Sequence, residues 1–173
     1  MEGQTLLRGF LARHRAAVVA GIVIAVALAV FGLIWFQPQK LFIDERVAED
    51  LPAGGGAGAT TITLASGEFR ALAHDVTGSA SIVELDSGER YVRFEDDFSV
   101  ENGPDLVVYL SEAASDGQGR AFAEDFIELG RLKGNIGSQN YLIPAGTDLS
   151  RYRSVVVWCR RFTVGFAVAP LEA

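Results

Sequence analysis

The chain has 173 residues, 49% hydrophobic and 21% charged, with a formal net charge of −7 at pH 7. That length holds one globular domain with a proper core, and the acidic balance disfavours nucleic acid and anionic lipid headgroups as its partners. A single cysteine, Cys159, excludes any internal disulfide.

The hydrophobic excess is concentrated near the N-terminus. The 21 residues from Ala16 to Phe36 carry no charge and no strongly polar group. At a rise of about 1.5 Å each they match the roughly 30 Å of a bilayer core, so 16–36 is expected to be a transmembrane helix. A cleaved signal peptide has a shorter apolar region of about 7 to 15 residues and small residues at the cut. Here the run ends in Ile34-Trp35-Phe36-Gln37-Pro38, which offers no such site. Arg8, Arg13 and Arg15 precede it against Glu2 alone, whereas Lys40 is soon opposed by Asp44, Glu45, Glu49 and Asp50. Residues 1–15 are therefore expected to be a cytoplasmic tail, and the remainder to lie outside a plasma or inner membrane, periplasmic or extracellular.

Residues 37–59 read as a juxtamembrane segment followed by a Gly/Ala-rich linker, Pro52-Ala53-Gly54-Gly55-Gly56-Ala57-Gly58-Ala59, that lets the outer domain move. Residues 60–173 form the domain. Strands are expected at 61–64, 67–73, 79–85, 91–94, 106–111, 126–132, 141–143, 155–159 and 163–169. Turn residues divide them at 75–78, 86–88, 102–105, 117–119, 134–138 and 144–146, and Asp148 to Tyr152 has the composition of a single helical turn. Many short strands at this spacing predict an all-β domain, a β-sandwich or small barrel, preceded by one transmembrane helix.

The side-chain inventory excludes several centres. Blue copper needs two histidines and a cysteine, usually with a weak axial methionine, yet this domain has only His74 and Cys159. A structural zinc site needs four nitrogen or sulfur ligands, so copper and zinc centres are both disfavoured. Haem needs only one protein ligand, which His74 or Cys159 can supply. Without a Cys-x-x-Cys-His motif it would be non-covalent.

Cys159 ends the apolar run Val155-Val156-Val157-Trp158 and is followed by Arg160 and Arg161. Positive charge favours the reactive thiolate, whereas free cysteine is also a small hydrophobe often found buried; both readings stand. If the strand continues unbroken, Arg161 shares the face of Cys159, and if 160–161 is a hairpin turn it does not. His74 closes a strand and reads either as a hydrogen-bonded turn residue or as a partner of Cys159 in a nucleophilic pair. Lys133-Gly134-Asn135-Ile136-Gly137-Ser138-Gln139 is glycine-rich but lacks a P-loop ending, so it reads as a tight turn with Gly134 and Gly137 at positive φ. Glu95, Asp96 and Asp97 read as a solvated acidic loop, their spacing matching no EF-hand.

One ordered set of motifs stands out. It comprises His74 with Gly78, Phe94 and Phe98, Gly103-Pro104-Asp105-Leu106 and Val108-Tyr109-Leu110-Ser111, then Leu132-Lys133-Gly134-Asn135 with Gly137 and Gln139-Asn140-Tyr141, Ile143-Pro144, and Val157-Trp158-Cys159 with Phe162, Val164 and Phe166. Together these resemble the DM-thirteen domain, the electron-transfer DM-thirteen family also found in Skeletor-type animal proteins, over about 67–171. The resemblance implies an extracytoplasmic β-sandwich-like domain with a characteristic cysteine, here Cys159, in its penultimate strand. It also implies a redox or electron-transfer role through that thiol or a bound group such as haem, with Cys159 and His74 as candidate contacts and a separate protein as redox partner. No hydrolase or transferase motif accompanies it. The alternative is a non-catalytic interaction or ligand-binding module whose cysteine is buried and structural.

Overall fold

The computed structural model describes residues 15–36, 43–52 and 61–172. Residues 1–14 of the expected tail, residues 37–42 and the Gly/Ala-rich stretch from residue 53 lie outside them. The chain divides into two units, 1–39 and 40–173.

The first unit holds α1, Arg15–Phe36. None of its residues is buried, and its apolar side chains point in every direction rather than along one stripe. A helix that is hydrophobic all round has no water-facing side, so it suits lipid better than a protein surface. Its 22 residues extend to about 33 Å. It is long and apolar enough to cross a membrane and fits a single-pass anchor, although a signal sequence near an N-terminus passes the same test.

The second unit is all-β. Among the described residues its strands are β1 Thr61–Glu68, β2 Arg70–Ala71, β3 Val76–Thr77, β4 Ser79–Leu85, β5 Arg90–Phe94, β6 Ser99–Val100, β7 Leu106–Ser111, β8 Phe126–Arg131, β9 Gln139–Leu142, β10 Ser154–Cys159 and β11 Val164–Pro170. They form a four-stranded sheet in the order β1-β4-β5-β9, a five-stranded sheet in the order β2-β11-β10-β7-β8, and the small pair β3-β6. Every pairing between these strands is antiparallel. Of the nine strands expected from alternation, 79–85 and 106–111 have the expected bounds and six others are present with shifted ends, while the expected 67–73 is divided between the end of β1 and the two-residue β2. The two-residue β3 and β6 were not expected, since two residues cannot establish a period.

The two larger sheets enclose one core. Alternate residues of β7 (Leu106, Val108, Leu110) and β10 (Val155, Val157, Cys159) meet Ala80, Ile82, Val92 and Phe94 of β4 and β5, with Phe69, Phe98 and Tyr141 filling the end. The other faces of β7 and β10, carrying Val107, Tyr109, Val156 and Trp158, are also buried. Phe122, on the short 3-10 turn Gly119–Ala123, covers them. Burial on both faces explains why these strands are continuous apolar runs rather than alternating ones, a pattern favoured where no face meets water.

Three sequence readings are corrected or refined here. First, residues 160–163 form the turn between β10 and β11, with Thr163 at φ 54°, so the strand stops at Cys159 and the shared face with Arg161 is lost. Second, Gly137 has φ +91° as expected, but Gly134 is not in the left-handed region. Gly134 is small for another reason: an added Cβ would lie 2.4 Å from the Glu45 carbonyl oxygen and 2.6 Å from Val47 Cγ2. Third, residues 43–50, read as juxtamembrane, are hydrogen-bonded to the domain. A parallel bridge joins Arg46 to Ile136, with Val47 N donating to the Ile136 carbonyl at 2.9 Å and Glu49 N to the Ser138 carbonyl at 3.0 Å. The expected helical turn is a 3-10 turn, Leu149–Arg151, capped by Asp148, whose carboxylate accepts from Ser150 N.

Candidate functional site

Cys159 is fully buried, its side chain directed between the two sheets. It pairs across the five-stranded sheet with Val164 on one side and Leu106 on the other. A sulfur with no accessible surface offers neither attack nor an open coordination position, so a haem iron does not fit at Cys159 in this packing. The adjacent Arg160 turns away to the surface. Its Nε and Nη2 donate to the Asp105 carboxylate at 3.2 and 3.0 Å, and its Nη1 donates to Glu128 at 2.9 Å. The Arg160 hydrogen bonds hold the Asp105 carboxyl below the ordinary carboxylate range, against a smaller opposing push from burial. That contact therefore stabilises the fold above the ordinary carboxylate pKa and is lost as pH falls through the lowered one.

His74 lies in the bend after β2, beyond the strand end where it was expected. Its ring stacks on the buried Phe166 with centroids 3.7 Å apart. Its Nδ1 lies 2.6 Å from Glu101 Oε2. A carboxylate only accepts, so the proton of a neutral imidazole sits on Nδ1 and the lone pair is left on Nε2. A carboxylate behind a histidine fixes the tautomer and the orientation of the ring, as in many ligating histidines.

His74 and Glu101 line a cleft of about 770 Å³, within the range of small-molecule sites. Its other walls come from three places. Asp75, Val76 and Thr77 lead through β3, Ser99 and Val100 form β6, and Asp44, Asn135 and Ile136 close the third side. Among the described residues that line it, three carboxylates, Asp44, Asp75 and Glu101, face one imidazole and no lysine or arginine, so these groups disfavour anions. Cys159 lines neither this cleft nor the two smaller ones, beside Phe122 and beside Leu142. The two candidate residues thus stand in different environments, one sealed in the core and one at open space. Glu101 and Asp44 escaped the sequence reading because pairings across 27 and 91 residues, to His74 and Asn135, leave no local signal.

The glycine-rich loop is organised from inside by Gln139, whose side chain is fully buried. Its Nε2 donates to the carbonyls of Gly134 and Gly137 at 2.8 and 3.3 Å. Its Oε1 accepts from Lys133 N, from Gly134 N and, at 2.6 Å, from the Tyr141 hydroxyl. Burial pushes the Tyr141 phenol far above its ordinary range, so it remains a donor.

The domain is thus an all-β sandwich that buries its lone thiol and opens a histidine-carboxylate cleft beside its small third sheet. The chain belongs to the Electron transfer DM13 family, whose match covers residues 68–171. No curated protein and no solved structure matches it.

Proposed function

We propose that the chain is a single-pass membrane protein, N-terminus cytoplasmic, whose DM13 domain works outside the cytoplasm as a ligand-binding module. The cleft at His74 is its binding site and Cys159 is a structural core residue. The complete burial of the only thiol carries this reading, because it leaves the His74-Glu101 pair as the accessible one of the two candidates. The three carboxylates favour a neutral or cationic ligand. An electron-transfer role, which the family description names, would then belong to a group held at His74, with a separate protein as redox partner. Haem carries two propionates, which the three carboxylates disfavour; held there it would supply a one-electron iron centre, with His74 as its protein ligand and Glu101 holding the imidazole in the tautomer that leaves Nε2 free.

Absorbance spectra of the purified full chain in detergent, with and without added hemin, test this on wild type, His74→Ala and Cys159→Ala. The expected result is that Cys159→Ala leaves the spectrum unchanged and that any Soret band is lost in His74→Ala. No band in any variant removes haem and leaves the module with a neutral or cationic ligand. A band lost only in Cys159→Ala would return the function to the thiol.

A further inference from the structure

Residues 43–50 are bound as a peptide ligand is bound. The Lys133–Asn140 loop precedes and enters β9, the edge strand of the four-stranded sheet, and an edge strand offers unpaired backbone groups to any extended chain. Here the Glu45 carbonyl accepts from Ile136 N at 3.3 Å, and Val47 N and Glu49 N donate to the Ile136 and Ser138 carbonyls, giving a short parallel ladder. Side chains then set specificity. The Glu49 carboxylate meets Lys133 Nζ at 2.7 Å and accepts from Asn140 N at 2.8 Å. Burial works to raise the Glu49 carboxyl, but Lys133 and the Asn140 N–H outweigh it and hold it below the ordinary range. Arg93 Nη1 donates to the Glu49 carbonyl, Asn140 Nδ2 to the Asp50 carbonyl, and Asn135 Nδ2 to Asp44.

The two glycines of the loop make room for this segment. A Cβ on Gly134 would strike Glu45 and Val47, and one on Gly137 would lie 2.1 Å from the Val47 carbonyl oxygen. The loop read from the sequence as a tight turn therefore also fits a second backbone against it. The family match begins at residue 68, so the groove lies within the matched domain and the segment that fills it does not.

We infer that residues 133–140 form a docking groove for an extended acidic peptide, recognised by β-strand addition and a carboxylate clamp, and filled in cis by residues 43–50. Only residues 37–42 then separate α1 from chain bound to the domain. The Gly/Ala-rich stretch connects two segments of the domain, the docked peptide and β1, and does not act as the membrane tether. Asp44 and Asn135 also line the His74 cleft, so the docked segment completes one of its walls.

Hydrogen exchange on the full chain in detergent tests the assignment. In wild type, the Val47 and Glu49 amides should exchange at least about tenfold more slowly than in a free peptide of residues 42–52, as native hydrogen bonds require. Gly134→Ala, which needs no unusual backbone conformation, should bring them close to the free rate while β10 amides stay protected. Lys133→Glu should do the same, and the Lys133→Glu, Glu49→Lys double variant should recover protection. In a chain with Val47→Asp and Glu49→Lys, added 42–52 peptide should slow exchange at Ile136 and Asn140, and it should fail to do so when Gly134→Ala is also present. Free-peptide exchange in wild type, or added peptide giving no protection, would overturn the proposal. Protection that disappears on dilution together with a dimer would also overturn it, by placing a second copy's segment in the groove. None of these readouts depends on a ligand at His74, so the cleft reading stands or falls separately.

Discussion

Phe94→Ala should destabilise the domain by about 3 to 5 kcal/mol, the usual cost of emptying a fully buried aromatic site. Phe94 has no exposed surface, and its ring meets Phe98, Phe69 and Tyr141 at centroid distances of 4.5, 5.0 and 5.4 Å. The four rings belong to separate segments, so none can close the space by a rotamer change alone. Aromatic pairs add about 0.5 to 1.5 kcal/mol beyond area burial, and three of them converge on this ring. Thermal unfolding of the full chain should show a midpoint about 8 °C or more lower, given roughly 3 to 5 °C per kcal/mol for a domain between the 60–100-residue and 150–250-residue classes. Phe162→Ala is the control. That side chain is 53% exposed at the β10-β11 turn, and its loss should stay within about 0.5 kcal/mol. Equal effects from the two variants would mean that the Phe94 cluster is not the centre of the core.

Gln139→Ala should cost about 2 to 4 kcal/mol, for a different reason. One buried amide serves two carbonyls, two backbone N–H groups and the Tyr141 hydroxyl. Each buried group left without a partner costs about 1 to 3 kcal/mol, less where water enters the vacated space. The loss should appear in denaturant unfolding as a lower midpoint at unchanged slope, since the surface exposed on unfolding is nearly the same. Gln139→Glu keeps the shape but places an acceptor opposite the Gly134 and Gly137 carbonyls, so it should not rescue. Rescue by glutamate would show that the amide donor bonds are not what holds the loop.

Much of the architecture was legible because apolar alternation and turn residues are local signals. The eight longer strands and the apolar helix follow from them directly. Cys159 could be placed on a strand, but its burial could not be read, because the cover over its face of β10 comes from the other sheet, from residues such as Ile82 and Phe94 far earlier in the chain. The same holds for the site. His74 was visible as a residue type at a strand end, whereas its partner Glu101 reaches it only through the β3-β6 pairing, too short to leave a period. The glycine loop was visible as a motif, yet the reason for Gly134 lies in Glu45 and Val47, nearly ninety residues away in sequence. A docked segment rich in charge, followed by glycines, has the composition of a linker, and composition carries no record of what it pairs with.

The only thiol of this domain, Cys159, is a core residue. The most direct test of its burial is the reaction of Cys159 with Ellman's reagent in the folded full chain, compared with the same protein in denaturant. A thiol exposed only by global opening against about 5 kcal/mol or more reacts at least roughly 10³-fold more slowly than free cysteine. That suppression is expected in the native protein, with one full equivalent of reactive thiol after unfolding. Reaction of the folded chain at the rate of an exposed cysteine would contradict this burial.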